Sequence, residues 1–171
     1  MLFRSQTSQL ASLESSENTN KSLAALATSL TASMQLSGIS AIGKIADMGS
    51  NAIALTKGQN IDFQLYFPHD VTTGKINIMD VDGKVLRTMD VGATAAGNAK
   101  YTWDGKGNDG SLLSEGTYYV NSSYTKTNGA TAETRIGLYP IESIKFDGGK
   151  TLAKLGSNYV EFSSIKEIRG N

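Results

Sequence analysis

His69 is the only histidine of the 171-residue chain, and it lies between Pro68 and Asp70 in a predicted loop. A protein metal site usually takes several histidine, cysteine or carboxylate ligands, and the chain has no cysteine. As a general base, His69 would need a nucleophile beside it, and no nearby serine stands in the strand-to-helix turn of a hydrolase. The sequence therefore predicts no catalytic residue, no metal site and no cofactor, and the protein is not expected to be an enzyme.

The segment 104–115 carries acidic and amide side chains at the spacing of a calcium-binding loop. Asp104, Asn108 and Glu115 occupy the first, fifth and twelfth positions of such a loop. Lys106, however, stands where an oxygen ligand is required, and Asp109 stands where glycine is required. Because an ammonium group repels a calcium ion, we expect this segment to be a plain turn.

Two other loops contain residue types found at binding or catalytic sites. Gly105, Gly107 and Gly110 invite comparison with a phosphate-binding loop, but no helix follows them to offer its N-terminus to a phosphate. Asp80 and Asp82 could form a pair of acids, but an Asp-Gly hairpin turn explains both without chemistry. Both loops are therefore predicted to be turns.

Four aromatic residues leave two interpretations open. Tyr101, Trp103, Tyr118 and Tyr124 could line a platform for a sugar ring, as in carbohydrate-binding modules. Residues of this kind more commonly fill the core of a β-sandwich or cover a strand face. A sugar platform would make the protein an adhesin or a carbohydrate-binding module.

Charge and hydropathy exclude two classes of partner. Lysine plus arginine number 16 and so do aspartate plus glutamate, so no net field draws the protein to nucleic acid. The apolar runs are far shorter than the roughly 20 residues of a membrane span. The N-terminus also lacks the apolar core of a secretory signal peptide. We predict no nucleic-acid binding and no membrane insertion.

Residues 1–37 predict a helical arm, because they contain neither glycine nor proline. Apolar residues recur at spacings of three, four and seven that place each group on one helical face; they are Leu2, Phe3, Leu10 and Leu13, then Leu23, Leu26, Leu30 and Met34. The polar run 15–21 is predicted to break or fray the helix. Two interpretations stay open: a flexible arm or one packed on its own β-region, and a self-associating coil.

From Gly38 onward, alternating apolar residues and frequent turn signals predict β-structure. Ile61–Phe67 alternates strictly, and hairpins are predicted at 80–83 and at Asn128-Gly129. This pattern favours an antiparallel sandwich of immunoglobulin or fibronectin type. Shorter strands follow from Ile141 to Ile168.

The short strands on the two sides of the sandwich need partners. Pairing the strands near Ile42 and Ile53 with the C-terminal strands is the simplest solution, and it leaves the sandwich inserted in a small barrel. The predicted domains are a helical arm at 1–37, a discontinuous barrel at 38–57 and 137–171, and a sandwich at 58–136.

Three segments carry motifs of one known protein family. The first is the helical stretch Phe3–Ala11 with Leu13-Glu14, and the second is Ile42-Gly43-Lys44-Ile45. The third is the series Tyr101–Gly105, Asp109-Gly110 and Glu115–Val120. Together they resemble the flagellar hook-capping family, whose sandwich carries a Trp-Asp-Gly, Asp-Gly and Gly-x-Tyr series. The structural residues of these motifs are Ile42, Gly43, Lys44, Trp103, Asp104, Gly105, Gly110, Gly116 and Tyr118.

The resemblance implies a fibronectin type III-like sandwich inserted into a Tudor-like barrel, in a mainly β protein with an N-terminal helical arm. It implies a non-enzymatic cap that leaves the cell unfolded through flagellar export. The cap then works as a small homo-oligomer at the distal end of the growing hook, where it helps hook subunits to fold and polymerise. The family has a longer N-terminal region, so the chain is expected to be a truncated fragment.

The hypothesis for the arm is contact with sister subunits or with the hook, through Leu10, Leu13, Leu23, Leu26 and Leu30. The expected partners are thus the protein itself and flagellar hook subunits. The alternative function is a secreted adhesin or carbohydrate-binding sandwich that uses Trp103 and its neighbouring aromatic residues.

Overall fold

The computed structural model describes the backbone of residues 2–170 and the side chains of residues 9 and 12–170. In that part of the chain one long helix precedes twelve strands and a single turn of 3-10 helix at Phe162–Ser164. The elements are α1 (Leu2–Ser40), β1 (Ile45–Asp47), β2 (Ala52–Leu55), β3 (Ile61–Phe67), β4 (Val71–Met79), β5 (Val85–Val91), β6 (Gly97–Trp103), β7 (Gly116–Lys126), β8 (Thr131–Arg135), β9 (Leu138–Asp147), β10 (Lys150–Leu155), β11 (Asn158–Glu161) and β12 (Glu167–Arg169).

The helix α1 passes without interruption through the polar run 15–21, so the predicted break there was wrong. Thr19 Oγ1 donates to the Ser15 carbonyl at 2.8 Å, and Ser22 Oγ donates to the Asn18 carbonyl at 2.9 Å. Hydroxyl groups that bond back to the preceding turn do not pull the backbone out of the helix. The helix also continues past residue 37 to Ser40, and therefore includes Ile39, which the sequence had placed in the β-region.

Strands β2 to β8 form the sandwich. One sheet has the order β2-β7-β4-β5, with β8 also paired to β7, and the other consists of β3 and β6. In β3 the residues Phe63, Leu65 and Phe67 are buried and alternate with polar or part-exposed ones, as predicted. Side chains from both sheets form one core, which confirms a mainly β fold with a sandwich behind a helical arm.

Strand β1 and strands β9 to β12 form a third sheet, which we call the barrel after the unit predicted there. Its order is β11-β10-β9-β1-β12, so β1, which precedes the sandwich, pairs with β9 and β12, which follow it. This unit has a small core of its own, formed by Ala41, Ala46, Ile141, Ala153 and Leu155. Chain segments from both sides of the sandwich thus meet in one sheet.

The predicted pairing of the strand near Ile53 was wrong. β2 pairs with the first half of β7 in the sandwich, from Ala52 with Tyr119 to Leu55 with Gly116, and not with the C-terminal strands. The reason is apolar burial, because Leu55 belongs to the sandwich core and Ile53 packs against it. The domain boundaries at 38–57, 58–136 and 137–171 stay a prediction.

The segment Ile42–Lys44 is a turn and not part of a strand. Gly43 N donates to the Ile141 carbonyl at 2.9 Å, and Ile141 N donates to the Lys44 carbonyl at 2.8 Å. This turn takes the chain from the end of α1 into β1. It therefore fixes where the arm leaves the barrel.

Candidate functional site

The polar loops singled out in the sequence have their oxygen atoms engaged in turns. Asp80 Oδ1 accepts hydrogen bonds from the backbone of Asp82 at 3.0 Å and Lys84 at 2.9 Å. His69 lies exposed in a bend, and neighbouring Asp70 accepts a hydrogen bond from Ala96 N at 2.8 Å. Within residues 2–170, no group of three or more histidines and carboxylates is placed to hold a metal ion.

The loop that joins β6 to β7 is folded onto the edge of β5. Asn108 Oδ1 accepts a hydrogen bond from Thr88 N at 2.9 Å, and Asn108 N donates to the Leu86 carbonyl at 2.9 Å. Asp109 accepts from the Ser111 hydroxyl at 2.6 Å, and this bond lowers the pKa of the Asp109 carboxyl. These side chains close the turn and cover a strand edge, in agreement with the turn interpretation.

Three of the four aromatic residues belong to the core, and Tyr101 packs against it with its ring partly exposed. Trp103 is 1% exposed, its indole Nε1 donates to the Lys106 carbonyl at 3.0 Å, and its ring meets that of Tyr118 edge-on at 5.2 Å. Tyr124 is also buried, against Phe67 at 5.1 Å. A sugar cannot stack on rings that are covered on both faces. The sugar platform interpretation is therefore wrong for Trp103, Tyr118 and Tyr124.

The family motif at 115–120 has a structural role. The Tyr118 hydroxyl donates to the Ser114 carbonyl at 2.6 Å while its ring packs in the core. A tyrosine that ties the start of a strand to the backbone just upstream is a feature of immunoglobulin-like sandwiches. The nearby Gly105 has φ +70° and lies over Leu55, so the Trp-Asp-Gly turn approaches β2 closely. Gly110 lies in the same loop, and Gly116 begins β7.

The arm presents several large apolar side chains that no other part of the described chain covers. Leu13, Leu23, Leu26 and Leu30 are between 56% and 66% exposed, whereas the side chain of Leu10 lies outside the described residues. We call Leu23, Leu26, Leu30 and Met34 the arm stripe. Isolated exposed leucines are common, but a row at helical spacing is typical of a contact surface.

The arm stripe continues the face that α1 presents to the barrel. Gly38 follows Met34 by four residues, so both lie on one side of the helix. At Gly38 the helix touches β9 and β10, since a side-chain Cβ there would be 3.1 Å from Thr151 Cγ2 and 3.2 Å from Ile144 Cγ2. Where the helix leaves the barrel, Met34 lines a groove of about 310 Å³ together with Thr151 and Phe162. The exposed stripe and this groove form one continuous surface.

A buried ion pair that the sequence analysis missed lies where the sandwich meets the barrel. Asp47 of β1 is 2% exposed, accepts hydrogen bonds from Arg135 of β8 and forms a salt bridge with Arg169 of β12. Asp47 and Arg135 are 88 residues apart. No local pattern could have paired them.

No helix in the described part of the chain has both the length and the apolar character needed to cross a membrane. Arm, sandwich and barrel together define a two-part β protein whose larger part is an immunoglobulin-like sandwich carried behind a helix. Residues 50–128, which include β2 to β7, match the family model of the FlgD Ig-like domain.

Two curated relatives match most of the chain. The basal-body rod modification protein FlgD of Salmonella typhimurium is 31% identical over 135 residues, which are 74% of this chain and 56% of that protein. The protein of the same name from Escherichia coli is 30% identical over 136 residues, 74% of this chain and 57% of that protein. The chain thus spans little more than half the length of these relatives. It belongs to the FlgD family.

Among solved structures, a truncated FlgD from Helicobacter pylori has the same fold. Its TM-score is 0.65 at 24% sequence identity, and the match covers 77% of this chain and 96% of that one. At this level of identity the agreement concerns the fold.

Proposed function

We propose that this chain is a non-enzymatic scaffold for assembly of the flagellar hook. It caps the distal end of the growing hook and promotes the folding and polymerisation of hook subunits there. Family membership supports a role in flagellar assembly, because the matched relatives are named basal-body rod modification proteins. The observation that carries the proposal for this chain is the uncovered arm stripe.

The arm stripe supports contacts of moderate strength. It offers a single row of leucines and one methionine, and the helix around it carries few charges to set a fixed partner geometry. A coil with one narrow apolar row buries little surface, so its contacts exchange readily. A cap that must admit each new subunit needs interfaces of this kind. The partners are other copies of the chain and the hook subunits.

The proposed location is outside the cell, at the tip of the hook, after export through the flagellar apparatus. Before export the chain is cytoplasmic. The absence of cysteine from the whole chain suits this route, since no disulfide has to form or break along it.

Self-association tests the role of the arm stripe. Replacing Leu23, Leu26 and Leu30 together with serine removes most of the row's apolar surface, and we expect the oligomer to dissociate into monomers in sedimentation velocity runs. The same variant should no longer shorten the lag of hook-subunit polymerisation, measured by light scattering and electron microscopy.

A matched control carries three serines on the opposite face of the helix, at Ala25, Ala32 and Leu36. These side chains are also exposed, so the three serines lower the helix propensity by a similar amount while the arm stripe stays intact. The control should keep both the oligomer and the effect on hook subunits. An unchanged oligomer in the Leu23, Leu26 and Leu30 variant would show that the stripe is not the interface.

A further inference from the structure

Two chain segments connect the barrel to the sandwich, and they run side by side. Residues 48–51 lead from β1 to β2, and residues 136–137 lead from β8 back to β9. Met48 N donates to the Gly137 carbonyl at 2.8 Å. Gly137 has φ +89°, and a Cβ on it would lie 2.1 Å from the Ser50 carbonyl oxygen. Only glycine allows the two segments to approach this closely.

Asp47 lies at the barrel end of these two connecting segments, which we call the joint, and it contacts residues of both units. Arg135 Nη2 lies 2.7 Å from Asp47 Oδ1 and 2.6 Å from Oδ2, and Arg169 Nη2 lies 2.8 Å from Oδ2. Gly49 N also donates to Oδ1, at 2.7 Å. The carboxylate is almost fully buried, whereas the side chains of Arg135 and Arg169 are 27% and 45% exposed, so the Arg135 contact is the less screened by water of the two.

The partners of Asp47 differ in what they connect. Arg169 lies on β12, which pairs with β1 in the barrel, so its contact is internal to that unit. Arg135 is the last residue of β8, which pairs with β7 in the sandwich. The bond from Arg135 to Asp47 therefore joins a strand of one unit to a strand of the other.

Packing between the two units leaves room for movement. A groove of about 580 Å³ separates β2 and β3 of the sandwich from the turn between β10 and β11 of the barrel. Its walls include Ile53, Phe63, Tyr139 and Leu155. Two units that meet across an open groove are expected to move relative to each other unless a specific contact holds them.

We propose that the Arg135–Asp47 ion pair is a latch that fixes the orientation of the sandwich relative to the barrel. With the latch closed, the two units move as one body. With it broken, the paired connecting segments act as a hinge and the groove opens and closes. This inference concerns the joint and does not depend on a role in the hook.

Distance measurements between the two units test the latch. The chain has no cysteine, so Asp82→Cys in the β4–β5 turn and Ser163→Cys in the 3-10 turn provide the only two sites for spin labels. Double electron–electron resonance should give one narrow distance distribution with the latch intact. Arg135→Gln should broaden it about twofold or more.

Arg169→Gln is the matched control, since it removes an arginine from the same carboxylate but breaks no contact between units. It should leave the distribution narrow. In Arg135→Gln the buried Asp47 carboxylate keeps less opposite charge beside it. If the chain then fails to fold, the double variant Asp47→Asn with Arg135→Gln removes the unpaired charge and should show the broad distribution. A narrow distribution without Arg135, or equal broadening by Arg169→Gln, overturns the latch.

Discussion

Two tyrosines carry hydroxyl groups at the margin of an otherwise apolar core. Phe67 lies edge-on to both rings, with centroids 6.5 Å from Tyr101 and 5.1 Å from Tyr124. Burial raises the pKa of both phenols above their ordinary value of 10.0, since the charged phenolate is poorly solvated there. The sandwich core therefore depends on these groups staying protonated.

We predict that the sandwich loses stability as the pH rises above about 10. In the unfolded chain the phenols ionise at the ordinary pKa, whereas in the folded chain they stay protonated to higher pH. The folded state is therefore fully stable below the ordinary pKa of the phenols and loses stability as the pH rises from there through their raised pKa. Chemical unfolding followed by Trp103 fluorescence at increasing pH measures the effect.

The double variant Tyr101→Phe with Tyr124→Phe should flatten this alkaline dependence. Tyr159→Phe, at a half-exposed position of the barrel, should not. If the free energy of unfolding falls equally with pH in the unmodified protein and in both variants, the loss of stability at alkaline pH comes from other groups.

At the scale of the element, α1 combines a free part and an anchored part. Side chains between residues 12 and 34 are exposed, whereas Gly38 is buried against the barrel and Ala41, just after the helix, belongs to the barrel core. Among residues 12–40, the arm is thus held only at its C-terminal end. A helix anchored in this way keeps its apolar stripe available to a partner.

Gly38→Leu should detach the end of the arm from the barrel. The first added carbon already meets Thr151 and Ile144 at 3.1–3.2 Å, so a leucine has no room, and we expect a cost of about 1–3 kcal/mol from overpacking. Hydrogen exchange should become faster in residues 33–41 and in the barrel.

The sandwich should keep its exchange rates in Gly38→Leu, because its core contains no residue of α1. Ala32→Leu, at an exposed position of the same helix, is the control and should leave the barrel unchanged. Slow exchange at residues 33–41 in Gly38→Leu would contradict the anchoring role of Gly38.

At the scale of the whole molecule, the sandwich is inserted into the barrel, and this arrangement decides how the free energy of unfolding is divided between the two units. The sandwich core draws only on residues between β2 and the turn after β8, and it contains the largest buried side chains, such as Trp103 and Phe67. The barrel core is smaller and includes three alanines. A larger apolar core contributes more to the free energy of unfolding, so the sandwich is expected to be the more stable unit.

We predict that residues 50–136 fold on their own, whereas residues 58–136 are less stable by about 2 kcal/mol or more. The shorter fragment lacks β2 and with it Leu55, so it leaves a cavity over the core. Urea unfolding of both fragments, followed by Trp103 fluorescence, compares them. Equal midpoints would support the sandwich boundary at residue 58 and contradict a structural role for β2.

Much of the fold can be predicted from local patterns. The absence of glycine and proline before Gly38 indicates the helix, strict alternation indicates β3 with its inward Phe63 and Phe67, and Asn128-Gly129 indicates the hairpin between β7 and β8. Each of these signals acts between residues that are close in sequence, where backbone sterics and periodicity are sufficient.

Other features depend on which distant segments meet. Local propensity could not show that β2 pairs with β7, because pairing with β7 or with the C-terminal strands would bury the apolar residues of β2 equally. Nor could it show that the hydroxyl groups of residues 15–21 form hydrogen bonds within the helix. The arm stripe was visible in the sequence, but its continuity with the groove beside Phe162 was not. The sequence by itself thus determined the periodic elements, the turns and the apolar row of the arm. Only the tertiary structure decided the burial of Trp103 and the pairing of Asp47 with Arg135, since both depend on contacts between segments that the order of residues does not place together.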